Sequence, residues 1–464
     1  MRKERCQMNN NIDPEQLESL HPVGKYHGAP SAGAIDGQVY SKTYIGYVLF
    51  ILFLAMTLSF ADRQLVNILL EPIKQEFGAS DTEMGLLTGL AFVLFYATMS
   101  IPLARLADRR SRRNILVIAM AVWSAMTAFC GMSTNFIQLA LSRFGVGIGE
   151  AGGGPASYSM VADYVSPRRR NSALAILSAG APVGILLSMY GGAVLSTHYG
   201  WRVAFLALGI PGVLLSLLIY LTVREPLRGR WDPPKAAAPE LSMREVLLTL
   251  WREPAMRTVA LATGVTAISG FASGAWMPSF FMRVHGFSLV EAGMVLGLGG
   301  TLGGMLGGIV GGVLADRMAL RHPSWQLKVA ALGTLLSIPS QAAVLLWHGP
   351  EIVVGSMTLP LAVTLVPIGA FFIGFMQAPS VTSVQNLAEP HIRTQATAAF
   401  FFVTSTLGMG LGPISIGILN DLATPFAGDE AVRYSLLASL LFMLLGAFLF
   451  WRASSFYAAA WLRR

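Results

Sequence analysis

The chain has 464 residues, of which 54% are hydrophobic and only 12% charged, about half the charged share of a soluble domain. Mean hydropathy is +0.57 and the formal net charge is +8. These values exclude a soluble enzyme, a disordered chain and a disulfide scaffold. The two cysteines, Cys6 and Cys130, are too few for a redox framework or a zinc site.

Residues 1–42 are polar and lack an apolar core segment, so they read as a disordered cytoplasmic tail rather than a signal peptide. Twelve apolar stretches long enough to cross a bilayer follow, near 43–70, 84–106, 114–132, 136–162, 172–197, 202–223, 256–282, 289–315, 327–347, 356–387, 395–420 and 433–453. They are numbered here as spans 1 to 12. Between spans 6 and 7, residues 224–255 carry Pro226, Pro233, Pro234 and Pro239, then an amphipathic run from Leu241 to Trp251. The expected architecture is all-α and integral to the membrane. A first six-helix bundle occupies 43–223 and a second 256–453, with 224–255 as a cytoplasmic linker holding a short amphipathic helix and 454–464 as a cytoplasmic tail.

The basic residues sort by side. Arg109, Arg110, Arg112 and Arg113 follow span 2, Arg168 to Arg170 follow span 4, and Arg317 and Arg321 follow span 8. The opposite junctions hold only Lys74, Arg202, Arg283 and Arg433. Cytoplasmic loops carry the excess of Lys and Arg, which places both termini inside, in a bacterial inner membrane. The positive charge is therefore a topology signal, with anionic lipid headgroups rather than nucleic acid as its partner.

The two bundles echo each other. PLARLADRRSRR (102–113) matches GGVLADRMALRH (311–322), so Asp108-Arg109 and Asp316-Arg317 stand 208 residues apart at the inner ends of spans 2 and 8. DYVSPRRRNSALA (163–175) likewise matches LAEPHIRTQATAA (387–399), aligning Pro167 and Arg170 with Pro390 and Arg393. Parallel duplication of a six-helix half is a transporter architecture. The loop motif after span 2, its echo after span 8 and the Arg143…Gly147 run in span 4 resemble the major facilitator superfamily over about 43–453. Ala104 and Ser111 depart from that pattern, standing where glycine is usual. Within the superfamily, FADRQ (60–64) and SRFGVGIGEAGGGP (142–155) resemble the spinster-like branch, which includes exporters of lysolipids and sphingosine phosphate. The resemblance implies two pseudo-symmetric bundles working by alternating access, with spans 1, 4, 7 and 10 lining a central cavity. It also implies a gating role for Asp108, Arg109, Arg112 and Asp316 at the inner face, with Asp108 opposite the start of span 11.

An ionisable residue at membrane depth costs at least ~2.5 kcal/mol and marks function by default. Four qualify: Asp62, Arg63, Arg143 and Glu150. Arg143 and Glu150 are two turns apart and share a face, which Gly147 and Gly154 continue as open space. Asp62 and Arg63 point about 100° apart, being successive residues of one helix. The expected pairing is Asp62 with Arg143 as a structural ion pair, leaving Arg63 facing the cavity to bind an anionic group. Burial disfavours a charged Glu150 while arginines favour it, which suits Glu150, with Asp62, to proton coupling. Opposite them, Thr266, Ser269, Ser273 and Trp276 in span 7, Phe371, Phe375 and Gln377 in span 10, and Phe400, Phe401 and Phe402 in span 11 would form a weakly polar, aromatic wall. Trp276 and Gln377 are the expected substrate contacts.

Small residues at four-residue spacing mark span 5 (Gly180, Gly184, Ser188, Gly192) and span 8 (Gly300, Gly304, Gly308, Gly312). Such ridges permit close packing, and the resemblance sets these spans opposite each other, so Gly184 and Gly304 are expected in a moving seam. GVGIG (145–149) is not a phosphate loop, since it lies inside an apolar helix without a following Lys-Ser/Thr. A membrane enzyme would need a nucleophile or metal cluster at depth, whereas His285, His322 and His348 sit at span ends. A sensor would be expected to carry an appended soluble domain. The expected function is proton-coupled secondary transport of a small amphipathic, anionic, lipid-like substrate by a monomer. Its partners would be protons and membrane lipids, with no cofactor or metal. A drug/proton antiporter and an organic anion/proton symporter are the alternatives.

Overall fold

The computed structural model describes residues 40–228, 230–231, 243–354, 357–389 and 392–463. The tail expected over 1–42 therefore lies almost wholly outside the described residues, as does the proline-rich part of the linker. Twelve helical rods, a linker helix and a two-stranded hairpin make up the described residues. Spans 1 to 6 are Lys42–Ile68 with Leu70–Phe77, Asp81–Thr88 with Leu90–Arg109, Arg112–Met132, Phe136–Tyr164, Pro167–Ser178 running on in segments to Tyr199, and Trp201–Thr222. The linker helix is Met243–Arg252. Spans 7 to 12 are Pro254–His285, Leu289–Met294 running on to Ala319, Trp325–Leu346, Leu361–Leu365 running on to Leu387, Arg393–Ser405 running on to Ala427, and Ala431–Leu462.

By length and composition, ten stretches among the described residues are apolar enough to cross a membrane. One of them, Gln395–Leu462, holds both spans 11 and 12. Span 4 is not among the ten, because glycines and the Arg143 and Glu150 charges lower its hydropathy.

Two expectations need correction. Residues 357–360 do not begin span 10, and residue 356, where it was expected to start, lies outside the described residues. Strand β1 (Glu351–Val354) pairs antiparallel with β2 (Met357–Pro360), Glu351 opposite Pro360, so a small hairpin precedes a span that starts at Leu361. Pro360, extended at ψ 136°, is the residue before the span's first turn, and without an N–H it ends the strand. At the other end, the tail expected over 454–464 continues the helix of span 12 to Leu462. Ser454 and Tyr457 are buried there, and Tyr457 accepts from Asn386 of span 10 at 3.1 Å.

The repeat extends to the turns at the end opposite the arginines. Gly78 (φ 62°) and Gly286 (φ 66°) end spans 1 and 7 in the left-handed conformation that glycine adopts without strain. Ser80 and Ser288 then cap spans 2 and 8, each with the reciprocal bond from Glu83 or Glu291. The Gly-x-Ser-x-x-Glu spacing recurs at the offset already seen for Asp108 and Asp316, and was legible in the sequence.

The glycine ridges pack differently from expectation. A Cβ on Gly184 would lie 2.3 Å from the Thr57 carbonyl and one on Gly180 2.9 Å from the Phe53 carbonyl, so the span 5 ridge seats against span 1 of the same half. On span 8, Gly303, Gly307 and Gly311 press on Pro367, Phe371 and Phe375 of span 10, while Gly304 has nothing nearer than 3.9 Å. Each half therefore packs these glycines internally. The halves meet instead through Gly293 and Gly297 of span 8 against Met189 of span 5, and through Gly85 and Gly89 of span 2 against Pro413 and Met409 of span 11. Spans 5, 8 and 11 each take a π-helical turn at this depth, over Leu187–Gly191, Val295–Gly300 and Thr406–Leu411, a distortion often found at functional sites. Among the described residues, every extensive contact between the halves falls in the portion away from the arginine-rich end.

Candidate functional site

Span 4 owes its position to its glycines. A Cβ on Gly149 would fall 2.6 Å from the Trp123 backbone nitrogen, and one on Gly153 2.8 Å from the Trp123 ring. Gly147 lies against the Phe92 carbonyl of span 2, so it closes a helix contact rather than leaving the open space expected there. Gly154 does face open space. Spans 2, 3 and 4 are thus drawn together around the charges.

The four intramembrane charges form two adjacent pairs. Arg143 Nη1 donates to Asp62 Oδ1 at 3.2 Å, and Thr127 Oγ1 donates to Asp62 Oδ2 at 2.6 Å. Asp62 and Arg143 are fully buried, so this pair braces spans 1, 3 and 4 away from any solvent. The second pair is Arg63 with Glu150, which the sequence reading did not anticipate. Glu150 Oε2 also accepts from Ser59 at 3.3 Å, while its Oε1 has no protein partner. Successive residues on span 1 point to different neighbours, so Asp62 and Arg63 each reach a different charge of span 4.

Arg63 alone of the four reaches the cavity, with 19% of its side chain exposed. Its guanidinium lies 4.8 Å from the Tyr96 ring centroid, 5.3 Å from Phe60 and 5.4 Å from Phe92, within cation–π range. The cavity it enters encloses about 320 Å³ and is lined by Ser59, Phe60, Tyr96, Tyr158 and, from the second half, Phe401. A second cavity of about 310 Å³ begins beside Gln64, one residue on, and runs among spans 7, 8 and 10 past Ser273, Met277, Thr301 and Ile373. Its wall carries no charged side chain.

The other expected contacts sort as follows. Trp276 is completely buried and donates to the Pro413 carbonyl at 2.9 Å, so it ties span 7 to span 11 and lines neither cavity. Its polar handle found a backbone partner, which a buried indole requires. Gln377 is exposed at the head of the helix Gln377–Leu387 and lines neither cavity. Phe371 and Phe375 cover the span 8 glycines, and Ser269 bonds Ser439 at 3.1 Å inside the second half. Of the proposed wall, Ser273 and Phe401 face a cavity.

At the arginine-rich end, the side chain of Asp108 lies outside the described residues. Arg109 and Asp316 are exposed. Arg112 is buried and bonds Asp163, Ser159 at 2.9 Å, Glu225 at 3.2 Å and the Pro226 carbonyl at 3.1 Å. All are in the first half or the chain leaving it, so Arg112 braces its own bundle instead of bridging to the second as a gate would. Ser111 caps span 3 by accepting from Asn114 N at 3.2 Å, and donates to Glu225 at 2.7 Å, which gives the departure from glycine a structural use. Glu225 also accepts from the backbone N–H groups of Arg113 at 2.8 Å and Arg112 at 3.1 Å. Burial alone would raise its pKa, but these bonds outweigh it and hold the carboxyl below the usual carboxylate range. No group of metal-binding side chains is found among the described residues.

The sequence and the fold are matched elsewhere. A family model described as Major Facilitator Superfamily matches residues 52–413. An MFS-type efflux pump of Mycolicibacterium smegmatis is 34% identical over 408 residues, 88% of this chain and 92% of that protein. A hexuronate transporter of Bacillus subtilis is 25% identical, over 84% of this chain and 91% of that one. A crystal structure of a bacterial homolog of the human lysosomal transporter Spinster, inward-facing and unoccupied, superposes with a TM-score of 0.81 at 28% identity, covering 91% of this chain and 99% of that one. The chain belongs to the Major Facilitator Superfamily, as a multi-pass membrane transporter that resembles the spinster-like branch and is not an enzyme.

Proposed function

We infer that the protein is a proton-coupled secondary transporter that moves an amphipathic anion by alternating access, as a monomer with both termini on the cytoplasmic side of a bacterial inner membrane. The observation that carries this reading is the pairing of Arg63, the one intramembrane charge open to the cavity, with the buried carboxylate of Glu150. While Glu150 is ionised it occupies the guanidinium. A proton on Glu150 neutralises that partner and leaves Arg63 free for a phosphate or carboxylate, which it can take in a bidentate fork. Proton and anion then enter together, and the four charges, formally zero in sum, return to zero when a univalent anion follows the proton. The aromatic ring around Arg63 and the uncharged cavity beside Gln64 suit an apolar tail. The resemblance of FADRQ and SRFGVGIGEAGGGP to the spinster-like branch supports a lipid-like substrate, and the arginine asymmetry supports the orientation.

The efflux pump relative favours a second reading, expulsion of an uncharged apolar compound in exchange for protons. In that case the cavity beside Gln64 would bind alone, and Arg63 would serve only to pair with Glu150.

The test uses purified protein in liposomes with fluorescent lysophospholipids that share a tail and differ in headgroup charge. Expected are gradient-driven movement of the anionic lipid, collapse of that movement with an uncoupler, and a weaker response to a headgroup without net charge. Movement indifferent to both headgroup and pH gradient would overturn the reading.

A further inference from the structure

A second set of charges sits far from the cavity, where the two halves close on each other at the end opposite the arginines. Arg283, at the end of span 7, donates to Asp81 of span 2 at 2.6 and 2.8 Å and to Glu71 of span 1 at 2.7 Å. Asp81 and Glu71 are buried, and the Arg283 side chain is 12% exposed. Lys74 completes the neutral set at 2.5 Å from Asp81. Asp421 of span 11 acts on the same place by another means. Its two carboxylate oxygens accept from the backbone N–H groups of Asp81 at 3.0 Å and Thr82 at 2.8 Å. The first turn of span 2 is thus capped from across the molecule, in addition to its own Ser80. Orphan N–H groups and the positive end of the helix dipole both favour a carboxylate there. Gly417, one turn before Asp421, lets the backbones touch, since a Cβ on it would lie 2.3 Å from the Asp81 carbonyl. Nearby Asn420 is fully buried with neither amide atom partnered, an arrangement that favours a competing state in which this surface is wet.

We propose that Arg283 and Asp421 form a two-part lock that holds the outer end shut, Arg283 by a shared salt bridge across the halves and Asp421 by capping a helix of the other half. Both bonds cross the boundary that alternating access must open, so breaking either releases the outward-open state. The lock is neutral by itself apart from Asp421, and it shares no residue with the Arg63–Glu150 pair. The proposal rests on the alternating-access reading but not on the substrate or on proton coupling.

The experiment measures distance between spin labels at Gln75→Cys and Asp429→Cys, both exposed at this end on opposite halves, in full-length protein whose Cys6 and Cys130 are replaced. It needs no substrate, so failure of the lock and failure of the transport assignment are distinguishable. Arg283→Met and Asp421→Ala should each enrich the long-distance population about tenfold, as expected for a coupling of this class. Asp421→Asn, which keeps an acceptor oxygen and is gentler on folding, should give a smaller shift in the same direction. A distance distribution unchanged from the parent in Asp421→Asn and in either of the other variants would overturn the lock.

Discussion

Replacing Glu150 with Gln removes one negative charge from a set that sums to zero and leaves it at +1. Gln is nearly isosteric, so the contact with Ser59 and the fit against span 1 can persist. What is lost is the ionic partner of Arg63. Breaking a fully buried pair costs about 3–5 kcal/mol, because the remaining charge is left uncompensated. Here the cost is lower, ~2–3 kcal/mol, since Arg63 is 19% exposed to the cavity and keeps its ring contacts at 4.8–5.4 Å. A substrate anion can recover part of that energy. If half of it is recovered, binding of an anionic lysolipid tightens by about tenfold at neutral pH. In the parent protein that binding should strengthen as pH falls and Glu150 takes up its proton, whereas in Glu150→Gln it should be strong and flat with pH. Accumulation driven by a pH gradient should disappear in the variant, with exchange of labelled for unlabelled lipid preserved. Equilibrium binding across a pH series and liposome flux, run on the same preparations, give both readouts. Arg63→Lys keeps the charge but loses the planar fork and should weaken transport, and Arg63→Ala should abolish it. A Glu150→Gln protein with parental pH dependence and full gradient-driven accumulation would refute the reasoning and move the coupling role to Asp62.

Two further predictions concern packing and the inner face. Gly307→Ala places a Cβ 1.8 Å from the Phe371 carbonyl, whereas Gly304→Ala meets only Ala370 at 3.9 Å. The first should destabilise the protein by about 2–3 kcal/mol in a thermal melt and the second by no more than ~0.5 kcal/mol; equal melting temperatures would show that the ridge is not seated on span 10. Glu225 has a depressed pKa, so it adds stability above the unfolded value that is lost as pH falls through the folded one. Glu225→Gln should therefore cost on the order of 1 kcal/mol at pH 7 and little once the pH has fallen below the depressed folded value; a loss that persists undiminished at acid pH would place its contribution in packing rather than charge.

Much of the molecule was legible before any coordinates. Apolar stretches separated by turns define helices because every backbone polar group in a bilayer must bond within its own segment, and the repeat across the halves was readable from paired motifs. The identity of the four intramembrane charges was equally open, since nothing else charged stands at that depth. The asymmetry of arginines gave a topology expectation by the same route. Pairing was another matter. Helical angles show that Asp62 and Arg63 diverge, but not that Arg63 turns to Glu150, because that depends on the separation and rotation of spans 1 and 4. On the span 4 side, Gly149 and Gly153 seat that helix against Trp123 of span 3.

The remaining surprises share one physical cause. A ridge of small residues declares that some backbone comes close without saying which, and the choice of span 1 for Gly184 and span 10 for Gly307 belongs to tertiary packing. A tryptophan among serines and threonines can face a ligand or find a carbonyl, and Trp276 found Pro413 across a helix boundary no periodicity reveals. The lock at Arg283, Asp81 and Asp421 joins residues 202 and 340 positions apart, each in sequence an ordinary charge at a span end. Sequence determines which surfaces are apolar, small or charged, because those are local properties. Only the folded chain decides which of them meet, because contact between distant elements is settled by the packing of all of them at once.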